Sequence, residues 1–186
     1  MRKQHISLKD TGRFSQLICD YLIEKKSLKE FYGHYPNLEN TRIQMELKKD
    51  HYSKQSRIVL VKALNSQYAK MTPEKAVIKN LKLLANENTF TVTTGHQLCL
   101  MTGPLYFIYK IISTINLCKK LKLKYPKSEF IPVYWMASED HDFEEINSFN
   151  FQDKKIQWKR NSAGAVGDFP LNDLQEALDI FETNLG

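Results

Sequence analysis

The stretch that decides the fold covers residues 90–147, FTVTTGHQLCLMTGPLYFIYKIISTINLCKKLKLKYPKSEFIPVYWMASEDHDFEEIN. Its start, residues 89–94, is short and β-branched, which predicts a strand. Residues 130–136 are almost wholly apolar, which is typical of a strand covered on both faces. Between them, from Leu105 to Leu121, apolar residues recur every three or four positions, as in an amphipathic helix. The pattern predicts a βαβ unit, so we expect two parallel strands joined in the right-handed sense.

Polar residues follow both predicted strands. The first strand leads into Thr94, Gly95, His96 and Gln97, and the second leads into Ser138, Glu139, Asp140, His141 and Asp142. Ligands of open α/β sheets bind outside the carboxyl ends of the strands, so we expect both groups to line one crevice. Gly95 permits a close approach of the backbone. His96 can bond a phosphate or exchange a proton near neutral pH, and Gln97 can orient a substrate.

The acidic group after the second strand has several possible roles. It offers oxygen and nitrogen ligands that can bind a metal, neutralise a substrate amine or hold a ribose hydroxyl. A metal is disfavoured, because alternate side chains of an extended segment point apart. The competing interpretation is a solvated acidic turn. For His96 the competing interpretation is a structural loop residue bonded to the backbone.

The crossover helix adds further candidates to the predicted crevice. Gly103 and Pro104 open this helix, and the free N–H groups at its start can hold an anion. Tyr106, on the first turn, is expected to reach the ligand. Lys110 lies four residues further on and is more simply a solvated lysine. Cys99 can be a nucleophile near a histidine, but a buried inert cysteine is the favoured interpretation.

Two common nucleotide-binding patterns are missing from this region. The loop after the first strand matches neither the dinucleotide pattern G-x-G-x-x-G nor the P-loop pattern. NAD binding and P-loop ATPase chemistry are therefore disfavoured.

The rest of the chain frames this unit. Residues 1–88 show helical spacing over residues 14–22 (capped near Thr11), 40–49 and 55–70, and Thr72-Pro73-Glu74 predicts a fourth helix start. After residue 146 we expect short strands with a hairpin around Asp153-Lys154, a flexible loop at 163–167 and a helix beginning near Asn172. The predicted organisation is a helical region (1–88), a βαβ core (89–148) and the start of an inserted module (149–186). Two parallel strands are few for such a fold, so we expect the N-terminal part of a larger, truncated protein.

Composition limits the class of protein. With 186 residues and 42% hydrophobic residues, the chain can bury a core. The three cysteines are odd in number and form no C-x-x-C pair, which indicates a reducing compartment. We expect no signal peptide and no membrane span, hence a cytoplasmic protein. The net charge of +6 fits nucleic acid, phosphate ligands or a lysine-rich surface, and the scattered lysines favour the last.

Three runs resemble a known family, the bacillithiol biosynthesis cysteine-adding enzyme, BshC. They are TTGHQ at 93–97, TGPLYFIYK at 102–110 and PVYWMASEDHDFEE at 132–145, joined by FYGHY at 31–35 and AVGDFPL at 165–171. The resemblance implies an α/β fold with a Rossmann-like core related to class I synthetase-type nucleotidyltransferases. It also implies inserted segments and a C-terminal coiled coil that makes full-length members homodimers. The implied activity is the last step of bacillithiol synthesis, in which a ligase adds cysteine to the amine of glucosaminyl-malate.

The resemblance also implies roles for the site residues. A histidine motif after the first strand contacts nucleotide phosphates in that superfamily, and residues 94–97 look like its counterpart, with a nucleotide such as ATP as the expected cofactor. The implied binding set is Thr94, Gly95, His96, Gln97, Gly103, Pro104, Tyr106, Ser138 and Glu139. Amide formation needs a neutral amine, so Asp140, His141 or Asp142 is the expected catalytic base. Helix N–H groups and His96 are expected to stabilise the negative charge of carboxyl activation.

Two other classes of function remain open. One is a nucleotide- or sugar-binding module without catalysis, and the other is an RNA-binding domain, motivated by the charge of +6. The leading hypothesis expects small-molecule partners, cysteine and glucosaminyl-malate, with neither nucleic acid nor membrane.

Overall fold

The computed structural model describes residues 4–185. They divide into two compact units, residues 4–56 and residues 57–185. The first unit contains helices α1 (Gln16–Leu22) and α2 (Thr41–His51), two short 3₁₀ helices (Lys9–Thr11 and Lys26–Phe31) and the start of α3 (Lys54–Tyr68).

Aromatic contacts organise the first unit. The ring of Tyr21 lies 5.3 Å from the rings of both Tyr32 and Tyr35, which gives the FYGHY run a packing role. The cap predicted at Thr11 is wrong, since Ser15 caps α1 by accepting the N–H of Ile18. Thr11 instead ends a 3₁₀ turn. Its hydroxyl donates to the carbonyl of Leu8 at 2.6 Å, which competes locally with helix formation.

The second unit holds the predicted βαβ core. Its helices are α4 (Lys75–Leu83), α5 (Leu105–Lys124) and α6 (Gln175–Leu185), with the larger part of α3, and its strands are β1 (Thr89–His96), β2 (Glu129–Met136), β3 (Ser148–Phe151) and β4 (Lys154–Gln157). β1 and β2 are parallel in one continuous register, from Thr89 opposite Glu129 to His96 opposite Met136. The prediction of two parallel strands joined by one helix is confirmed.

The start predicted for α4 is wrong by about two residues. Glu74 is extended, with ψ 152°, and lies just before the first helical residue, Lys75. Its carbonyl accepts the N–H of Val77 at 2.9 Å, so Thr72 and Pro73 remain outside the helix.

Both faces of the sheet are covered. On one face, Leu81, Leu84 and Ile131 form a buried cluster against α3 and α4. On the other face, Phe90 stacks on Phe130 with ring centroids 6.0 Å apart, beside α5. This double cover explains the continuous apolar run of β2.

The buried Arg57 secures the start of β1. Its guanidinium donates to the carbonyl oxygens of Leu84, Glu87 and Thr89 at 3.0 to 3.2 Å. Because Arg presents several donors in a rigid fork, one side chain serves the end of α4 and the first residue of β1 together.

Residues 143–185 form a small module with its own core. The hairpin of β3 and β4 turns at Gln152 and Asp153, both with positive φ (47° and 63°), so the predicted hairpin is confirmed. Its buried side chains are Phe143, Ile146, Ile156, Trp158, Val166 and Ala177. Helix α6 begins at Gln175, three residues after the predicted start. Cys99 and Leu100 pack against this core, so the loop after β1 rests on the module. The predicted boundaries at residues 88 and 148 stay predictions.

Candidate functional site

The carboxyl ends of β1 and β2 lie side by side. The N–H of Ala137 donates to the carbonyl of His96 at 3.1 Å, and the hydroxyl of Tyr134 donates to the same oxygen at 3.2 Å. β1 extends two residues beyond its predicted end at Thr94, so Gly95 and His96 belong to the strand itself. The end of β1 with Gln97 and the acidic residues after β2 lie at one edge of the sheet, as the sequence predicted.

Gln97 joins the two strand-end loops. Its side-chain amide donates to a carboxylate oxygen of Asp140 at 3.3 Å and to the carboxylate of Glu145. One neutral amide thus sits between two acids that would otherwise repel each other. Glu145 was not among the predicted site residues. Its place in the acidic run was the available signal, but nothing in the sequence indicates that Glu145 lies beside Gln97.

Backbone hydrogen bonds shape the acidic loop. Asp140 accepts the N–H of Asp142 at 2.8 Å, and Asp142 accepts the N–H of Glu145 at 3.4 Å. Both are local side-chain-to-backbone bonds of the kind that stabilise turns. Asp140 is half-buried, while His141 and Asp142 are exposed. The three candidate bases thus lie together, with Asp140 the most firmly held.

The rim of the loop is made by Glu139 and Trp135. The indole N–H of Trp135 donates to a carboxylate oxygen of Glu139 at 3.1 Å, and Glu139 is exposed. The carboxylate of Glu139 keeps further lone pairs available to a ligand.

His96 is buried and held at both ring nitrogens. Nε2 lies 2.6 Å from the hydroxyl oxygen of Tyr106, and Nδ1 lies 3.2 Å from the carbonyl oxygen of Gln97. Because a carbonyl only accepts, these contacts assign the proton to Nδ1 and let Nε2 accept from Tyr106. The Nδ1 contact matches the structural interpretation, in which His96 bonds backbone. The Nε2 contact places Tyr106, on the first turn of α5, next to His96, while its contact with a ligand stays a prediction.

The thiol of Cys99 lies 3.3 Å from His96 Nδ1. Burial raises the pKa of Cys99, the charge of Glu145 raises it further and Lys110 lowers it. The thiol is therefore protonated near neutral pH, which supports the interpretation of an inert cysteine.

Gly103 is required where it stands. Its φ of 61° and ψ of −156° belong to a region that glycine alone adopts readily. A Cβ at this position would lie 2.7 Å from Cys99 Cβ. Met101 and Thr102 also have positive φ, so the backbone turns sharply before Pro104 and α5.

The N-terminus of α5 is electrostatically open. Pro104 occupies the cap position without a side-chain hydrogen bond, and the first turn carries no acidic residue. Its N–H groups and the helix dipole suit an anionic group such as a phosphate or carboxylate. Lys110, in the second turn of the helix, is exposed and donates to the carbonyl of Gly95 at 3.1 Å.

A third segment supports the site, and the sequence interpretation missed it. The N–H of Gly167 donates to the carbonyl of Ser138 at 2.9 Å, and the N–H of Val166 donates to that of Asp140 at 2.8 Å. A Cβ at Gly167 would lie 2.6 Å from Ser138 Cβ, so the two backbones touch. The expectation of a flexible loop is wrong for Val166, which is buried, and for Gly167. The AVGDFPL run thus fixes the acidic loop.

The described residues offer neither a metal-binding cluster nor a membrane-spanning helix. Residues 4–185 contain no group of three or more His, Cys, Asp or Glu side chains placed to hold one metal ion. None of their helices has the length and hydropathy needed to cross a membrane.

Comparison with known proteins gives a consistent result. All of residues 1–186 match the family described as "Bacillithiol biosynthesis BshC, N-terminal Rossmann-like domain". A protein of Flavobacterium johnsoniae named "Putative cysteine ligase BshC" is 54% identical over 181 residues, which are 97% of this chain and 34% of the relative. Proteins of the same name from Cytophaga hutchinsonii and Bacillus cereus are 44% and 35% identical, again over 34% of each relative. The chain therefore spans about a third of the length of these relatives.

Proposed function

This chain belongs to the BshC family, and on that premise we propose that it is the N-terminal Rossmann-like part of a cysteine ligase. The proposed reaction joins the carboxyl group of cysteine to the amine of glucosaminyl-malate, the last step of bacillithiol synthesis. An amide C–N bond forms, the amine loses a proton, and the activated carboxyl loses its leaving group.

The observation that carries the proposal is the Gln97 bridge. It unites the loops after β1 and β2 in one polar site at the carboxyl edge of the sheet. Carboxylates at this edge suit a cationic amine, and the open start of α5 suits an anion. The amine substrate and an activated carboxylate thus have complementary places within one crevice.

We assign the proton transfer to the acidic loop. Asp140 is the first candidate for the base, because Gln97 and the N–H of Asp142 fix the direction of its carboxylate. His141 and Asp142 are the alternatives in the same loop. Tyr106 acts through His96, by holding the orientation of its ring at Nε2.

The start of α5 is the proposed place for the activating group. A nucleotide such as ATP is the proposed co-substrate, since the first-turn N–H groups of this helix fit its phosphates. The residues proposed to surround these phosphates are Thr94, Gly95, Gly103 and Pro104, and the loop after β2 adds Ser138 and Glu139 to the binding set.

Location and assembly belong to the same proposal. Cys19, Cys99 and Cys118 are all free thiols, which suits the reducing cytoplasm. Homodimerisation is proposed for full-length members of the family and not for this segment by itself.

A product assay tests the proposal. A chimera joins this chain to the remaining part of the Flavobacterium johnsoniae relative, and that relative serves as the positive control. Each protein is incubated with cysteine, glucosaminyl-malate and ATP, and the thiol product is measured by mass spectrometry. We expect product from the chimera and a loss of about 100-fold or more in Asp140→Asn, since Asn keeps the shape but takes no proton. Product from the relative with none from the chimera, or full activity of Asp140→Asn, would contradict the proposal.

The second candidate function is a nucleotide-binding module without catalysis. The open start of α5 favours it, because that feature needs only an anion and no base. Saturable ATP binding by an inactive chimera, measured by calorimetry, would select this alternative.

A further inference from the structure

Within residues 4–185, one face of the sheet is open at its carboxyl end. Side chains alternate between the two faces along a strand, so Trp135 lies on the same face as Ile131 and Val133. Helices α3 and α4 cover that face at Ile131 and Val133. Further along the strands Thr93 is exposed, and Trp135 is 60% exposed. A large aromatic side chain is thus presented to solvent at the edge of the sheet that carries the candidate site.

Gly95 adds no side chain beside this ring. It is the register partner of Trp135 on β1, so the two positions face the same side of the sheet. A Cβ at Gly95 would lie 2.8 Å from the carbonyl oxygen of Trp135 and 3.1 Å from its Cβ. Position 95 therefore accepts no side chain unless β2 moves. The surface formed by Thr93, Gly95 and Trp135 is called the Trp135 ledge below.

Glu139 fixes one edge of the indole. The N–H of Trp135 donates to a carboxylate oxygen of Glu139 at 3.1 Å, and this charge-assisted bond holds the ring in one orientation. Glu139 is exposed, so its remaining lone pairs are open to a ligand. An aromatic face with a carboxylate at its rim offers the two contacts that a sugar ring makes. The C–H groups of the sugar pack on the π-face, and its hydroxyl groups donate to the carboxylate.

The charge beside the ledge selects a cationic ligand. Residues 128–153 contain no lysine or arginine, and four further acids follow Glu139 within residues 140–145. Such a field attracts an ammonium group and repels phosphates. An amino sugar carries a ring and a cation in one molecule, whereas a nucleobase arrives with phosphates. The ledge also lies on the face of α3 and α4, while α5, the proposed place for the nucleotide, covers the opposite face.

We propose that the Trp135 ledge and Glu139 form the subsite for the amino-sugar ring of the acceptor substrate. The inference rests on the proposed ligase function and names the residues that recognise its acceptor. The sugar ring lies on the indole face, a hydroxyl group donates to Glu139, and the amine points toward Asp140, the next residue in the chain. Trp135 thus determines specificity, because it binds the sugar and takes no part in proton transfer.

Fluorescence titration of this chain tests the subsite without catalysis. The chain has two tryptophans, and Trp158 is only 4% exposed and donates to Asp173, so the Trp158→Phe chain reports Trp135 alone. Methyl glucosaminide should change the emission saturably. Methyl N-acetylglucosaminide, whose amide is uncharged, should bind at least about fivefold more weakly.

Three results of this titration would overturn the proposal. They are no saturable change with methyl glucosaminide, equal affinity for the N-acetylated sugar, or a saturable change with ATP in place of the sugar. The last would assign the ledge to a nucleobase. If Trp158→Phe does not fold, the difference in emission between the unmodified chain and Trp135→Leu gives the same signal.

A matched pair of variants separates the ledge from the loss of any exposed ring. Trp135→Leu removes the ring of the ledge, and Tyr109→Leu removes an equally exposed ring from α5, on the other face of the sheet. Calorimetry should show that methyl glucosaminide binds Trp135→Leu at least about tenfold more weakly, whereas Tyr109→Leu keeps the affinity of the unmodified chain. Equal affinities of the two variants would overturn the proposal.

Steady-state kinetics of the chimera separates this inference from the ligase proposal. Trp135→Leu should raise the KM for glucosaminyl-malate about tenfold and leave kcat and the KM for cysteine within about twofold. Trp135→Phe keeps a ring and should recover most of the loss. Product from the unmodified chimera with an unchanged KM in Trp135→Leu would overturn the subsite and leave the ligase function standing. A chimera without product would remove the ligase function, and the titration would still decide the subsite.

Discussion

The loop after β1 and the loop after β2 leave the sheet side by side, yet they are held by different forces. Packing and backbone geometry hold the first, in which Gly103 fits against Cys99 and Leu100 rests on the core of residues 143–185. Hydrogen bonds to carboxylates hold the second, through Asp140 and Asp142. The comparison teaches that added volume should damage the first loop, while a changed charge should damage the second.

Among the substitutions that test this comparison, Gly103→Ala should have the largest effect on stability. The substitution combines an unfavourable backbone conformation with a Cβ placed 2.7 Å from Cys99 Cβ, so we expect a loss of about 3 kcal/mol in the free energy of unfolding. Urea unfolding followed by the fluorescence of Trp135 and Trp158 measures it.

Gly164→Ala is the control for that experiment. Gly164 has a φ of 94° but nothing within 4 Å of an added Cβ, so it reports the backbone cost alone, about 1 kcal/mol. Equal losses in the two variants would show that the contact with Cys99 contributes nothing.

Gly167→Ala extends the test to the second loop, where one volume constraint remains. Its Cβ would lie 2.6 Å from Ser138 Cβ, and the expected loss of stability is about 2 kcal/mol. Ser138→Gly in the same chain should restore about half of it, because the Cβ contact disappears while the carbonyl contact at 2.9 Å stays. Urea unfolding of both single variants and the double variant measures the coupling between the two positions. Strictly additive losses of stability would show that Gly167 and Ser138 do not interact.

Gln97→Glu should affect activity more than stability. A third carboxylate would face Asp140 and Glu145 in place of the donor amide, which repels both loops at neutral pH. We expect the rate of product formation by the chimera to fall about tenfold, which corresponds to ~1.4 kcal/mol.

Gln157→Glu is the matched control, since Gln157 is exposed at the end of β4. It makes the same chemical change away from the strand-end loops and should leave the rate unchanged. If the Gln97→Glu chimera is as active as this control, the hydrogen bonds of Gln97 to Asp140 and Glu145 play no part in the reaction.

The smallest effect concerns the thiol of Cys99. Burial and the charge of Glu145 raise the pKa of this thiol above its usual value near 9. Its thiolate fraction at pH 8 is therefore low. Alkylation should accelerate only when the pH exceeds that usual value. The raised pKa of Cys99 also makes the free energy of unfolding depend on pH. A raised pKa favours the folded state below the thiol's ordinary pKa, and this contribution is lost as the pH rises through the folded value.

Mass spectrometry after iodoacetamide treatment measures the alkylation of each cysteine as the pH is raised. Cys118, whose pKa burial also raises, should behave like Cys99. Rapid alkylation of Cys99 at pH 7 would contradict the protonated thiol.

The site combines features that the sequence predicts with contacts that it does not. The positions of His96 and Asp140 at neighbouring strand ends followed from two strand patterns and one crossover helix. The partners of Gln97 did not follow, because Asp140 and Glu145 lie 43 and 48 residues away along the chain. The small residues at 163–167 predict a flexible loop, because the composition of that segment does not reveal the contact of Gly167 with Ser138.

The sequence by itself determined the βαβ unit, the parallel direction of β1 and β2 and the edge at which the polar residues emerge. These features depend on local hydrophobic periodicity and on the handedness of the crossover, both of which are properties of a continuous segment. Only the tertiary structure decided that Gln97 joins two acids and that Gly103 and Gly167 are packed too closely for a Cβ. These depend on distances between segments far apart in the chain, which periodicity does not encode.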